Sequence, residues 1–299
     1  MRVNPNIVPD ILGDIQQSQT TLNTALQQVS TGKRVNLPSD DPFASAAMVQ
    51  NTIETGDVDQ YTKNTNSVLL TLQSADSALS SVVTSLTQAV SLGTEGANGT
   101  NSTADLQDLA TQAQGLLSSV VSQANTSVSG SYLFGGTSTS KPFTADSSSS
   151  TGYTYNGNND VNSVTIGDGM NVQVNLPGSQ IFSNSTNNVI GSLSSLVTAL
   201  QSGNSSNIAT ATASVTSAIN YIGQQRVIYA NSESQVTSQE TALQQDTVSL
   251  ASQENNLVGV DEATAAVNLS QAETDNSAAL AAAAKVLPNS LLNYLSPPS

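Results

Sequence analysis

IATATASVTSAINYIGQQRVIYANSESQVTSQETALQQDTVSLASQENNLVGV, residues 208–260, places Ile208, Val215, Ile222, Tyr229, Val236, Leu243, Leu250 and Leu257 at a strict interval of seven. Apolar residues so spaced form one stripe along an α-helix. Eight repeats without a slip predict a helix about 75 Å long at 1.5 Å per residue. The companion seam reads Ala211, Ala218, Gln225, Ser232, Gln239, Asp246, Gln253 and Val260, and most of it is polar. A single partner helix would bury that seam poorly. Several neighbouring helices, or other copies of the chain, are expected around it.

The same spacing recurs toward the N-terminus. Ile11, Ile15, Ser18, Leu22, Ala25 and Val29 alternate steps of four and three, and Gly32 is placed to cap the helix that carries them. Asp41-Pro42 opens a second helix, with aspartate as N-cap and proline in the first turn. Its stripe is Val68, Leu72, Ala75, Leu79, Val82, Leu86 and Ala89, and it stops in the glycine-rich run GTEGANGTNST. A third stripe follows at Leu106, Ala110, Ala113, Leu117, Val120 and Ala124. The short break between these two predicts antiparallel neighbours.

The middle of the chain breaks the pattern. Between Gly130 and Phe182 lie Tyr132, Phe134, Phe143, Tyr153, Tyr155 and Phe182, in a sequence with only 4% aromatic residues. The runs SYLFG, YTYNG, NSVTIG and MNVQVNLPG alternate apolar and polar positions between turn residues, which predicts short β-strands. A β module inserted between helices, with its aromatics as a small core, is the economical reading. The serine run at 147–150 is expected to be a loop.

Composition narrows the function. The net charge is −15, and the seven basic residues are scattered, so no surface for nucleic acid or anionic lipid is expected. No Cys and no His leave the chain without a thiol nucleophile, the commonest general base and the usual zinc ligands. No apolar run reaches the roughly 18 residues of a membrane span, and none near the N-terminus reads as a signal-peptide core.

Three segments carry a resemblance. STGKRVNLPSDDPFAS (Ser30–Ser45), GSYLFGGTSTSKPF (Gly130–Phe143) and the stretch LVGVDEATAAVNLSQAETDNSAALAAAAKVLPNSLLNYL from Leu257 resemble, in this order, the hook–filament junction proteins of the flagellin-like family. Pro38 and Pro42 favour the junction proteins over flagellin itself, whose loop is otherwise similar. The resemblance implies a mainly α fold with a small inserted β domain, an elongated rod of long helices with a terminal coiled-coil region. The expected divisions are an N-terminal coiled-coil segment (1–45), rod helices (46–129), the β domain (130–185), rod helices again (186–258) and a C-terminal coiled-coil segment (259–299).

It also implies a structural, non-enzymatic axial component of the bacterial flagellum, exported without a cleavable signal peptide and extracellular. The implied partners are further copies of the chain in a ring or helical layer, the other hook-associated junction protein, flagellin, and a cytosolic export chaperone. A flagellin subunit and a surface adhesin are the alternative readings. Two features depart from the family: Pro288, expected to end or kink the last helix after Leu287, and the tail Ser296-Pro297-Pro298-Ser299.

No catalytic, cofactor-binding or metal-binding residue is predicted, and no cofactor. Lys33 and Arg34 beside Asp40 and Asp41 suggest an ion-pair lock between subunits, a local loop closure, or solvated charges that contribute little. Asp168-Gly169 and the run Asn156–Asp160 lack calcium-loop spacing and read as turns. Asp261-Glu262, and Asp105 with Asp108, sit where carboxylates favour helix starts.

Overall fold

A computed structural model describes residues 7–295, with side chains described from 9 to 285. The order is α1 (Ile7–Thr31), α2 (Pro42–Gly96), α3 (Thr103–Ala124), β1 (Ser127–Val128), β2 (Ser131–Tyr132), β3 (Phe143–Ala145), β4 (Tyr153–Tyr155), β5 (Ser163–Gly167) and β6 (Met170–Gln173). The chain then returns to helix in α4 (Gly178–Ile181), α5 (Val189–Ser202), α6 (Ser205–Val258) and α7 (Glu262–Leu295). The fold is mainly α with a small strand-containing module. The chain divides into two compact units, one made of the stretch up to Asp57 and the stretch from Gln245, the other of Val58–Gln244.

In the Val58–Gln244 unit, every residue named for the second and third stripes is buried. So are the heptad residues of α6 from Ile208 to Val236, which share one core with α2, α3 and α5. The pairs Gln73 with Glu233 and Asp76 with Arg226 fix α2 and α6 as antiparallel. A methyl group on Gly93 would collide with the Thr212 side chain, so glycine sets how closely those helices approach. Helix α3 begins in a capping box between Ser102 and Asp105 and packs against α5. Asn188 caps α5 by accepting from the Gly191 amide at 2.7 Å, and left-handed Gly203 ends it.

Between α3 and α4 the chain makes three antiparallel hairpins, β1–β2, β3–β4 and β5–β6. Ser129 and Gly130 both have positive φ, as a tight two-residue hairpin turn demands. Strands β1 and β3, two and three residues long, lie outside the runs that the sequence marks as strands. The ring of Phe134 lies edge-on to Phe182 at 5.2 Å, and Phe182 is 5.7 Å from Phe143. This cluster is not the module's private core. Phe134, Phe143, Ile166, Val172 and Phe182 are continuous with the buried stripes of α2 and α6.

In the other unit, α1 packs against α7. The α1 stripe is seen from Ile11 to Ala25, but Val29 is 44% exposed, and Gln28 takes the inward position instead. Gln28 Nε2 donates to the Arg34 carbonyl at 3.2 Å, a bond that valine could not make. Helix α7 does not end at Leu287 but continues to Leu295. Pro288 therefore leaves the Ala284 carbonyl without its helical N–H partner. Leu287 and Leu291, as side chains, and the tail from Ser296 lie outside the described residues.

Candidate functional site

Within the unit formed by the two chain ends, residues 30–45 make the densest set of long-range polar contacts. Left-handed Gly32, at φ 68°, stops α1 and turns the chain toward the connection between α6 and α7. Lys33 and Gly259 then pair as an antiparallel bridge. The Arg34 amide donates to Val258 O at 2.6 Å, and the Val260 amide donates to Gly32 O at 3.1 Å. Below this bridge Val35, Ala44 and Val258 form a small buried floor, flanked by Met48 and Leu257. Farther along, Asn51 Nδ2 donates to the Leu250 carbonyl at 3.1 Å.

The side chains reinforce the clamp. Lys33 Nζ lies 2.8 Å from Glu254 Oε1. Arg34 Nη2 lies 3.2 Å from Asp41 Oδ2 and donates to Leu257 O at 3.1 Å. Asp41 also caps α2, its Oδ1 accepting from the Ala44 amide at 3.0 Å. That amide, and then the Arg34 guanidinium, hold its carboxyl below the usual range. Asp40 has a different task from the one expected, because its Oδ2 accepts from the amides of Asn36 and Leu37 at 3.0 and 2.8 Å. Arg34 with Asp41 closes the loop locally, whereas Lys33 reaches Glu254 in α6, so the pair divides between a local and a long-range contact within the chain. Glu254 was missed: it lies 221 residues from Lys33, and no local pattern could join them.

The remaining candidates are structural. Asp105 completes the α3 capping box, and Asp261 opens α7 by accepting from the Ala263 amide and the Thr264 hydroxyl. Asp168-Gly169 forms the β5–β6 turn with Gly169 at φ 65°. Asn158 Oδ1 accepts from the Thr137 amide at 2.8 Å and so organises a loop. Among the described residues no three carboxylates gather as a metal site. A groove of 550 Å³ beside α5 and α6 is lined by serine, threonine and asparagine with two small residues, and it carries no charged side chain for acid–base work.

Both segments that meet at the clamp lie inside longer matches to known proteins. Residues 10–139 match the family model of the bacterial flagellin N-terminal helical region, and residues 212–295 that of the C-terminal helical region. The chain belongs to the flagellin-like family. Among curated members, it is similar to flagellar hook-associated protein 3 of Salmonella typhimurium, with 28% identity across 60% of this chain. The chain spans only 56% of that relative's length. Among solved structures, a putative flagellar hook-associated protein from Vibrio parahaemolyticus shares the fold with a TM-score of 0.67, at 21% identity, covering 74% of this chain and 100% of the other. The flagellar junction protein FlgL from Legionella pneumophila does so with a TM-score of 0.60, at 15% identity, covering 71% and 100%. Flagellin-like members are thus aligned with this chain at both ends, while residues 140–211 fall outside the two family matches.

Proposed function

We propose that this chain is a structural, non-enzymatic subunit of the bacterial flagellum at the junction of hook and filament. One observation carries the reading. The outer parts of the two flagellin-like segments, up to Asp57 and from Gln245, fall in a single unit, joined by the Lys33–Gly259 bridge and the Arg34 contacts. Such a unit presents both chain ends to neighbours as one preformed surface, so less ordering is needed on assembly. The names of the hook-associated relatives favour the junction over the filament body.

On this reading the partners are other copies of the chain in a ring or helical layer, the second hook-associated junction protein on one side, and flagellin on the other. A cytosolic export chaperone holds the chain before flagellar export, and the mature location is extracellular. The mechanism is mechanical: two different packings are matched across one layer of subunits.

A strain lacking the chain tests the proposal. The expected result is hooks without filaments, with flagellin shed into the medium. Loss of the bulk filament protein itself would support the flagellin reading instead. Normal filaments and motility would contradict both.

A further inference from the structure

The α1–α7 pair contains one layer that apolar packing does not account for. The inward positions of α7 are Ala265, Leu269, Ala272, Asn276, Ala279 and Ala283, in steps of four and three. Those of α1 are Ile11, Ile15, Ser18, Leu22, Ala25 and Gln28. Ala265, Ala272 and Ala279 repeat every seven residues, so by shape alone α1 would meet much the same surface after sliding one heptad.

Ser18 and Asn276 break that degeneracy. Ser18 Oγ and Asn276 Oδ1 are both buried with no hydrogen-bond partner. The outward hydroxyls of Thr20, Thr21 and Thr24 behave differently, each donating to the carbonyl four residues back. Counted from the Lys33–Gly259 bridge, Ser18 lies 15 residues back and Asn276 lies 17 residues on. At 1.5 Å per residue, the two stand within about 3 Å of one level along the antiparallel pair. A groove lined from both helices by Gln17, Thr24, Asn268 and Asp275 follows the same register. A serine hydroxyl has a proton to give, and an amide oxygen has lone pairs to receive it.

We propose that Ser18 and Asn276 form a polar layer that selects the heptad register in which α1 seats on α7. A slide of seven residues would set Asn276 against Ile11 or Ala25, and an amide buried among apolar groups is penalised. In register, the two polar groups share a level, whereas a slide sets each against apolar groups alone. Single buried polar positions set register in other helical pairs by this logic. The competing account is that the clamp at Lys33 and Gly259 fixes the register unaided.

Because the sequence contains no cysteine, introduced pairs report register directly. Ile15→Cys with Ala279→Cys reads the observed register, and Ile15→Cys with Ala272→Cys reads a slide of one heptad. With Ser18 and Asn276 intact, only the first pair is expected to oxidise. In the Asn276→Leu background, and again with Ser18→Ala, the slipped pair should form at a comparable yield. Exchanging the groups, Ser18→Asn with Asn276→Ser, should restore the first pair alone. A slipped pair that stays unformed in both Asn276→Leu and Ser18→Ala would overturn the proposal in favour of the clamp. Failure of the first pair to form in the otherwise unaltered chain would overturn it as well.

Discussion

The backbone N–H of Arg34 lies 2.6 Å from the carbonyl of Val258, so the loop after α1 is fastened to the end of α6 by the main chain itself. This ranks two substitutions. Arg34→Ala removes only side-chain contacts of a half-exposed residue and is predicted to be mild. Gly32→Val forces a β-branched residue into the left-handed region and is predicted to cost about 1–2 kcal/mol. Hydrogen exchange of the amides from Gly32 to Val35 and at Val260 checks the ranking. Equal exchange rates in the two variants would refute it.

Tyr229 is 3% exposed, and its hydroxyl accepts from the Leu176 amide at 3.1 Å. Tyr229→Phe leaves that buried amide unpaired, and a loss of about 1–3 kcal/mol is expected in urea unfolding. Burial pushes the Tyr229 ionisation well above its ordinary 10.0. The stability this implies is fully present below pH 10 and is lost as pH rises beyond it. The Phe variant should therefore lose part of the wild-type sensitivity to alkali.

Phe143 lies 2% exposed between Phe182 and Tyr155. Phe143→Ala is predicted to destabilise the Val58–Gln244 unit by about 3–5 kcal/mol. Because helices and hairpins share that core, helical circular dichroism and near-ultraviolet signals should fall together. A helical signal that outlasts the hairpins would contradict the shared core.

What was legible in the sequence follows from the range of each interaction. The α2 and α3 stripes and the heptads of α6 came from residues three to seven apart, and such patterns need only one helix to be read. Gln28 stands inward in place of Val29 and bonds the Arg34 carbonyl, a partner beyond the end of α1 that helix spacing does not reveal. Glu254, the partner of Lys33, was invisible because its pairing depends on the whole chain closing. The module read as separate because its aromatics cluster in sequence, whereas Phe134, Phe143 and Phe182 belong to one core with the stripes of α2 and α6.

Acid should act through the caps and turns. Hydrogen bonds from Ser148 and Thr154 lower the Asp146 carboxyl to about 2, from an ordinary 3.8. Asp105 and Asp261 are lowered as well, chiefly by the hydroxyls of Ser102 and Thr264. A depressed carboxylate contributes stability that is fully present above 3.8 and is lost as pH falls toward the folded value. Carboxyl titration by NMR should therefore find Asp146 ionised at pH 3. A midpoint near 3.8 would remove this contribution.

The junction role is tested most directly by counting. Flagella sheared with their hooks attached should contain this chain in a small fixed number of copies, unchanged as filaments are selected for length. Immunogold label should sit only at the boundary between hook and filament. A copy number that grows in proportion to filament length, with label along the whole filament, would contradict the account and make the chain a filament subunit.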